Sequence, residues 1–295
     1  MIDIEDIKPI TWQCGHYYLS RIDQVPTLNI EHPKAKCVIS LFGGQVLSYT
    51  PAGGDDLLWL SKHAVFDGKT AIRGGIPICW PWFGNRHDGL NSKKSHGFAR
   101  NSQWSLNSLS SNNEFAQVEL SLSSNLETKS VFPFEFELTL IINIAETLDV
   151  QLYIKNLDES AFDFTTALHS YFKVSQLDQT AIFGLGPNCL DSVDKGNPIT
   201  VAEPFYIKHA LDYIFRNQST ITLEQPESGT LIESDNAASW VVWSPWQEGA
   251  SNFEDMSVDE YQDMLCVEPA ILTHPIVLKS GQTHRLDLSI SHNRG

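Results

Sequence analysis

Two arginines set the first chemical expectation. Arg73 stands in Ile-Arg-Gly-Gly and Arg100 in His-Gly-Phe-Ala-Arg. Among glycines and apolar residues, a guanidinium is held against something rather than left in solvent. They belong to a stretch, residues 69–100, in which Lys69, Arg86, Lys93 and Lys94 join them against one acid, Asp88. The local charge is +5 (six minus one) in a chain of formal net charge −16. Net charge of either sign already serves solubility, so an acidic chain has no such need of a basic cluster. The chemistry indicated is binding of an anion. Lys93 and Lys94, beside Asn91 and Ser92, read instead as solvated.

A carboxylate and an imidazole offer acid–base chemistry. In Met264-Leu-Cys-Val-Glu-Pro269, strand alternation puts Met264, Cys266 and Glu268 on one face and Leu265 and Val267 on the other. Proline lacks a ladder donor, so the strand is expected to stop there with the Glu268 carboxylate at a rim. Apolar neighbours would desolvate that carboxylate and make it a stronger base; the competing reading is a surface glutamate at a strand end. In Phe162-Asp-Phe-Thr-Thr-Ala-Leu-His-Ser-Tyr-Phe172, Phe162, Phe164, Leu168 and Phe172 share a core face. Asp163, Thr165, Ala167, His169 and Tyr171 share the other. Small Thr165 and Ala167 leave room for a ligand near His169, and Tyr171 is placed to orient its ring; a histidine satisfied within the structure is the competing reading. Other chemistries lack their residues. There is no G-x-S-x-G, H-E-x-x-H or Walker-type phosphate loop, and Gly184-Leu-Gly186 has no third glycine. None of the ten histidines stands two or four positions from another, the spacing of a ready metal face.

The elements that must position these groups read as β-strands. Gln117-Val-Glu-Leu-Ser-Leu-Ser123, Glu135-Phe-Glu-Leu-Thr-Leu140, Asp149-Val-Gln-Leu-Tyr-Ile154 and His284-Arg-Leu-Asp-Leu-Ser-Ile290 alternate polar with apolar, the period of half-buried antiparallel strands. Further strands are expected at 28–30, 37–42, 162–172, 213–216, 220–223, 239–243 and 264–268, and a helix only at 253–264. Strands at short intervals without βα alternation point to an all-β fold, a large antiparallel β-sandwich with few short helices. All-β folds run long as single units, and no linker, repeat or low-complexity stretch divides residues 1–295, so one domain is expected.

With 295 residues, 42% hydrophobic and 19% charged, the chain can bury a sizeable core without staples. Cys14, Cys37, Cys79, Cys189 and Cys266 are odd in number and contain no C-x-x-C pair, which fits a reducing cytoplasm rather than a disulfide framework. The first residues, MIDIEDIKPI, lack a basic then apolar leader pattern, so a secretory signal is not expected. No apolar run reaches the roughly 18 residues of a membrane span. The acidic balance argues against a nucleic-acid partner, which requires broad basic surface. No pattern specifies an oligomeric state.

Six segments taken in order carry a resemblance: Arg73-Gly-Gly-Ile-Pro77, Trp80-Pro-Trp-Phe-Gly84, His96-Gly-Phe-Ala-Arg100, His169-Ser-Tyr-Phe172, Asp212-Tyr-Ile-Phe215 and Cys266-Val-Glu-Pro269. They resemble the D-hexose-6-phosphate mutarotases (glucose-6-phosphate 1-epimerases) of the aldose 1-epimerase superfamily, from about Leu28 to the last strand. The resemblance implies a galactose-mutarotase-like β-supersandwich and interconversion of the α and β anomers of a hexose 6-phosphate. It implies Glu268 as general base, His169 as general acid, Asp212 as a carboxylate for sugar hydroxyls, and Arg73 and Arg100 as phosphate ligands. His96 falls on a pocket position, and Ser95 stands where relatives often carry glutamine. The partner implied is a small phosphosugar, with no metal or organic cofactor. Trp80, Trp82 and Phe83 either offer apolar faces to the sugar or pack as core. Two other readings stay open: a non-catalytic carbohydrate-binding module, and a glycoside hydrolase using Glu268 and Asp212 as its carboxylate pair.

Overall fold

The computed structural model describes residues 10–85, 95–216, 220–226 and 228–293; Arg86, Asp88, Lys93 and Lys94 of the basic stretch lie outside them. The four alternating segments become Ala116–Ser123, Phe136–Ile144, Thr147–Asn156 and Thr283–His292, and they lie side by side in one eight-stranded sheet. Alternation is the cause. Along Phe136–Ile144 every second residue is buried, so each strand offers one apolar face and the register is fixed by the need to bury it.

A second eight-stranded sheet runs in the order Asn197–Thr200, Asn188–Asp191, Leu211–Phe215, Ser239–Ser244, Met264–Leu278, Phe162–Leu168 and Ile78–Cys79, with Tyr171–Lys173 also paired to Met264–Leu278. A five-stranded meander of Ile10–Thr11, His16–Ile22, Val25–His32, Ala35–Ser40 and Gln45–Pro51 completes the set. All pairings between these strands are antiparallel. One apolar cluster joins the three sheets, with Ile30 and Ile39 from the meander, Leu140 and Leu288 from the first large sheet, and Leu168, Val242 and Val267 from the second. The expected β-sandwich is therefore the observed architecture. Among the described residues no helix is long and apolar enough to cross a membrane.

Three local expectations are corrected. The segment 253–264 is not an α-helix: a 3-10 helix, Val258–Asp263, forms only its C-terminal half, started by a capping box between Ser257 and Glu260. The expected strand at 162–172 is two strands, Phe162–Leu168 and Tyr171–Lys173, with His169 and Ser170 between them. Most consequential, Met264–Leu278 does not stop at Pro269 but runs nine residues beyond it. The Val267 N–H donates to the Ser170 carbonyl at 3.3 Å, so the nitrogen of Pro269, two residues on, faces the same side. That side is the gap between the two strands just named, where no ladder hydrogen bond is lost.

Candidate active site

The second large sheet is the floor of a cavity of ≈ 390 Å³. Residues directly opposite in an antiparallel ladder share a face, and the register lines up Tyr171, Cys266, Trp243 and Asp212 in one row across four strands. Glu268 and Val241 form part of the next row. Leu265 and Val267 point the other way into the main core, while Met264 and Cys266 join a smaller cluster on the cavity side. The alternation read at 264–268 therefore holds, although Glu268 is fully buried instead of standing at a rim.

The walls depend on glycines. Gly75, at φ 61°, would bring a Cβ to 2.1 Å from the Val46 carbonyl oxygen, and Gly97, at φ 72°, would bring one to 1.9 Å from that of Trp80. Only glycine permits both approaches. The first lets the chain turn so that Arg73 enters the cavity. The second docks the following segment on Trp80, whose carbonyl accepts from the Phe98 and Ala99 N–H groups at 3.0 and 3.2 Å, and this delivers Ser95, His96 and Arg100 to the cavity. His96 itself has φ 62°, a left-handed conformation costing a non-glycine residue roughly 1–2 kcal/mol.

His169, Glu268, Arg73, Ser95, His96, Arg100 and Asp212 all line this one cavity. His169 Nδ1 lies 3.3 Å from Glu268 Oε1. No hydrogen bond joins them, and Nδ1 and both carboxyl oxygens are buried without a hydrogen-bond partner. Leaving such groups unpaired costs about 1–3 kcal/mol each, a cost a sugar's hydroxyls would relieve. Tyr171 stacks on the imidazole at 4.8 Å between centroids and 12° between planes, and His96 meets its edge at 5.6 Å. Burial raises the Glu268 pKa well above the ordinary carboxylate value, with Asp212 adding to the rise and Arg100 opposing it. Burial lowers His169 well below the ordinary imidazole value, aided by His96, Arg100 and Arg73. Both directions favour the uncharged tautomer, a neutral imidazole beside a protonated carboxyl. The imidazolium–carboxylate ion pair holds the same number of protons, so the two differ only by one transfer across the contact.

Arg73 is held from three sides. Its Nε–H donates to both Asp255 oxygens at 3.2 Å, Nη2 lies 3.1 Å from Asp255 Oδ1, and Nη1 donates to the Tyr171 hydroxyl at 3.3 Å. Its Cζ sits 4.3 Å above the Phe253 ring. Burial opposes the charge, but Tyr171 and Asp255 outweigh it and keep the guanidinium protonated. Of an arginine's five N–H donors, about two remain for a ligand. Arg100 donates from Nη2 to the Ser95 carbonyl and hydroxyl at 3.1 and 3.4 Å, and its buried Nε has no partner. Ser95 thus contacts an arginine as well as lining the cavity.

The Gly84 N–H donates to His96 Nδ1 at 3.3 Å. Burial, then Arg100 and Arg73, push the His96 pKa down to about 3, so the neutral ring carries its proton on Nε2 as a donor. Asp212 is raised by burial and by Asp191, against a hydrogen bond from Ser192. His169, Cys266 and Glu268 offer metal-ligand atoms within 4.8 Å of one another. Burial holds the Cys266 thiol well above its ordinary pKa, and a thiol is a poor ligand beside a thiolate.

Sequence reasoning missed Asp255, Phe253, Trp243 and Val241, which also line the cavity. Asp255 is 182 positions from Arg73, and no local pattern marks the pairing. Of the three aromatics weighed for the sugar, Trp80 and Trp82 are core, and only Phe83 reaches the cavity.

An imidazole–carboxylate pair and two arginines on the open face of a β-sandwich place the molecule among the mutarotase-like folds. A crystal structure described as a "putative mutarotase" from Salmonella typhimurium superposes with a TM-score of 0.89 at 27% identity, covering 97% of this chain and 96% of that one. The chain belongs to the aldose 1-epimerase family, whose model matches residues 26–291. Two relatives bear the name "Putative glucose-6-phosphate 1-epimerase". The protein of Escherichia coli (strain K12) is 31% identical over 90% of this chain and 88% of its own length. That of Cenchrus ciliaris is 33% identical over 86% and 80%.

Proposed function

We propose that this chain is a single-domain isomerase of the cytoplasm that binds a hexose 6-phosphate, glucose 6-phosphate foremost, and interconverts its α and β anomers. The observation that carries this reading is the His169–Glu268 contact of 3.3 Å inside a cavity that also holds Arg73 and Arg100. Five free cysteines, four of them buried, suit a reducing compartment.

Ring opening requires one proton to leave the C1 hydroxyl and one to reach the ring oxygen. Glu268, as carboxylate, takes the first, and His169, as imidazolium, gives the second. The C1 to ring-oxygen bond breaks, its electron pair staying on oxygen, as C1=O forms. Rotation about C1–C2 presents the other face of the aldehyde, and the same transfers run backwards on closure. Each positioned acid or base contributes typically about 10²- to 10⁴-fold. Arg73 and Arg100 hold the phosphate by charge-assisted hydrogen bonds, Asp212 accepts from a sugar hydroxyl, and His96 donates to one. A two-carboxylate glycosidase has no role for an imidazole against its acid, and a mere binding module gains nothing from a desolvated pair.

The test is NMR magnetisation exchange between the α and β anomers of glucose 6-phosphate. Enzyme-dependent exchange, much slower for free glucose, is expected; no acceleration of either sugar would overturn the reading.

A further inference from the structure

We propose, building on the function proposed above, that Glu260 is a positioning residue for phosphate binding: its buried carboxyl group ties together the two chain segments that carry Arg73 and Asp255, and so sets how the arginine is presented to the substrate.

The two segments come from distant parts of the chain. Arg73 is anchored through backbone, because its carbonyl accepts from the Ser61 N–H at 3.1 Å and the Gly75 N–H donates to the Trp59 carbonyl at 2.7 Å. Residues 59–61 are thus the mount of the arginine. Phe253 and Asp255, which contact its guanidinium, lie between the helices Trp246–Ala250 and Val258–Asp263 and belong to neither. Met256 packs with Trp59 and Tyr171, which keeps that segment near the mount, but apolar contact is non-directional. Its exact placement is left to polar contacts.

Glu260 supplies them. The residue is 4% exposed, and a carboxyl group so buried needs its oxygens satisfied. Donors converge on it from both segments. Oε1 accepts from the Lys62 N–H at 2.8 Å. Oε2 accepts from the Ser61 hydroxyl at 3.0 Å and from the Ser257 N–H, just beyond Asp255, at 2.8 Å. The Ser257 bond belongs to the helix cap, whereas the other two reach a loop 199 positions away from Glu260 at Ser61. A cap alone has no need of them.

The arrangement bears on the donors of Arg73. Asp255 occupies Nε and Nη2, so where Asp255 stands decides how the guanidinium tilts and which N–H groups face the cavity. A glutamine at position 260 keeps the shape but offers one acceptor oxygen, and its amide nitrogen meets a donor with a donor. The Asp255 segment is then free to shift against residues 59–61. His169 and Glu268 belong to neither segment, so the chemical step is spared.

The experiment measures steady-state anomer exchange of glucose 6-phosphate by the whole protein and by Glu260→Gln, Arg73→Met and the double variant. Glu260→Gln should raise KM about three- to tenfold, the size of one ordinary hydrogen bond, with kcat changed by less than about twofold. In the Arg73→Met background the same substitution should change kcat/KM by less than about twofold, because the group it positions is gone. Ser61→Ala, which leaves the helix cap in place, should raise KM in the same direction by less, and it carries the test if Glu260→Gln does not fold. An unchanged KM, a fall in kcat as large as the rise in KM, or an undiminished effect in the Arg73→Met background would each overturn the proposal, while exchange by the wild type would leave the proposed function standing. No exchange by the wild type would remove the parent reading and this inference with it.

Discussion

Replacing Glu268 by glutamine should make the protein inactive and, above neutral pH, more stable. The substitution keeps the shape of a side chain with no exposed surface while removing the only group in it that titrates. Its activity consequence follows from the loss of one acid–base partner, about 10²- to 10⁴-fold in anomer exchange.

The stability consequence follows from linkage. The folded pKa of Glu268 is raised by burial and by Asp212. Its favourable contribution is therefore complete below the unfolded value of about 4.3 and is lost as pH rises towards the folded value, by up to about 1.4 kcal/mol per pH unit. His169 acts in the opposite sense. Its folded pKa is lowered by burial and nearby positive groups, so its contribution is present above the unfolded value of about 6.5 and is lost as pH falls. From about pH 4.5 to 6.5 the two slopes oppose each other, and above about 6.5 the glutamate slope stands alone.

Urea unfolding at pH 5, 6, 7 and 8 should accordingly show wild type losing stability above pH 7 relative to Glu268→Gln. Below pH 6.5 the variant should show the histidine slope uncovered. A variant less stable than wild type at pH 8, with the same pH slope, would refute the claim that this carboxyl is held against its own ionisation. So would retained exchange activity.

Arg73→Met should raise KM for glucose 6-phosphate by about 10- to 100-fold, the worth of roughly 1.5–3 kcal/mol in a charge-assisted hydrogen bond, with a smaller effect on free glucose; unchanged KM would remove Arg73 from phosphate binding. Asp255→Asn, which loosens the guanidinium held at 3.1–3.2 Å, should raise KM less than Arg73→Met does, as steady-state anomer-exchange kinetics would show. Thiol titration with a chromogenic disulfide should find one fast cysteine, the partly exposed Cys14, and four more only after unfolding; two or more fast thiols in the native protein would contradict the buried placement of the others.

Much of the fold was legible because one-sided burial writes a period of two into the chain. The strands at 117–123, 135–140, 149–154 and 284–290 all have one face in the core, and all four are neighbours in one sheet. Met264–Leu278 was harder. Its first eight residues are buried on both faces, between the main core and the cavity side, and the end inferred from Pro269 ignored which side the proline nitrogen faces. The gap it faces exists because the chain leaves the ladder at His169, a tertiary fact with no local signal.

The catalytic candidates were readable as motifs, and the fold gathers all of them around one cavity. What holds them was not readable. The Asp255 grip on Arg73 and the row Tyr171, Cys266, Trp243 and Asp212 depend on register between strands far apart in sequence. The few residues around Asp255 resemble an amphipathic helix because Phe253 and Met256 are both apolar, yet Phe253 lies under a guanidinium and Met256 packs with Trp59 and Tyr171.

The central claim is that His169 and Glu268 act from one cavity on the same hemiacetal. A crystal structure of Glu268→Gln with glucose 6-phosphate tests it most directly. The account predicts the phosphate on Arg73 and Arg100, with O1 and the ring oxygen each within about 2.6–3.2 Å of residue 268 and His169 respectively. A sugar bound with its phosphate beside Asp212, or with C1 beyond reach of either group, would contradict it.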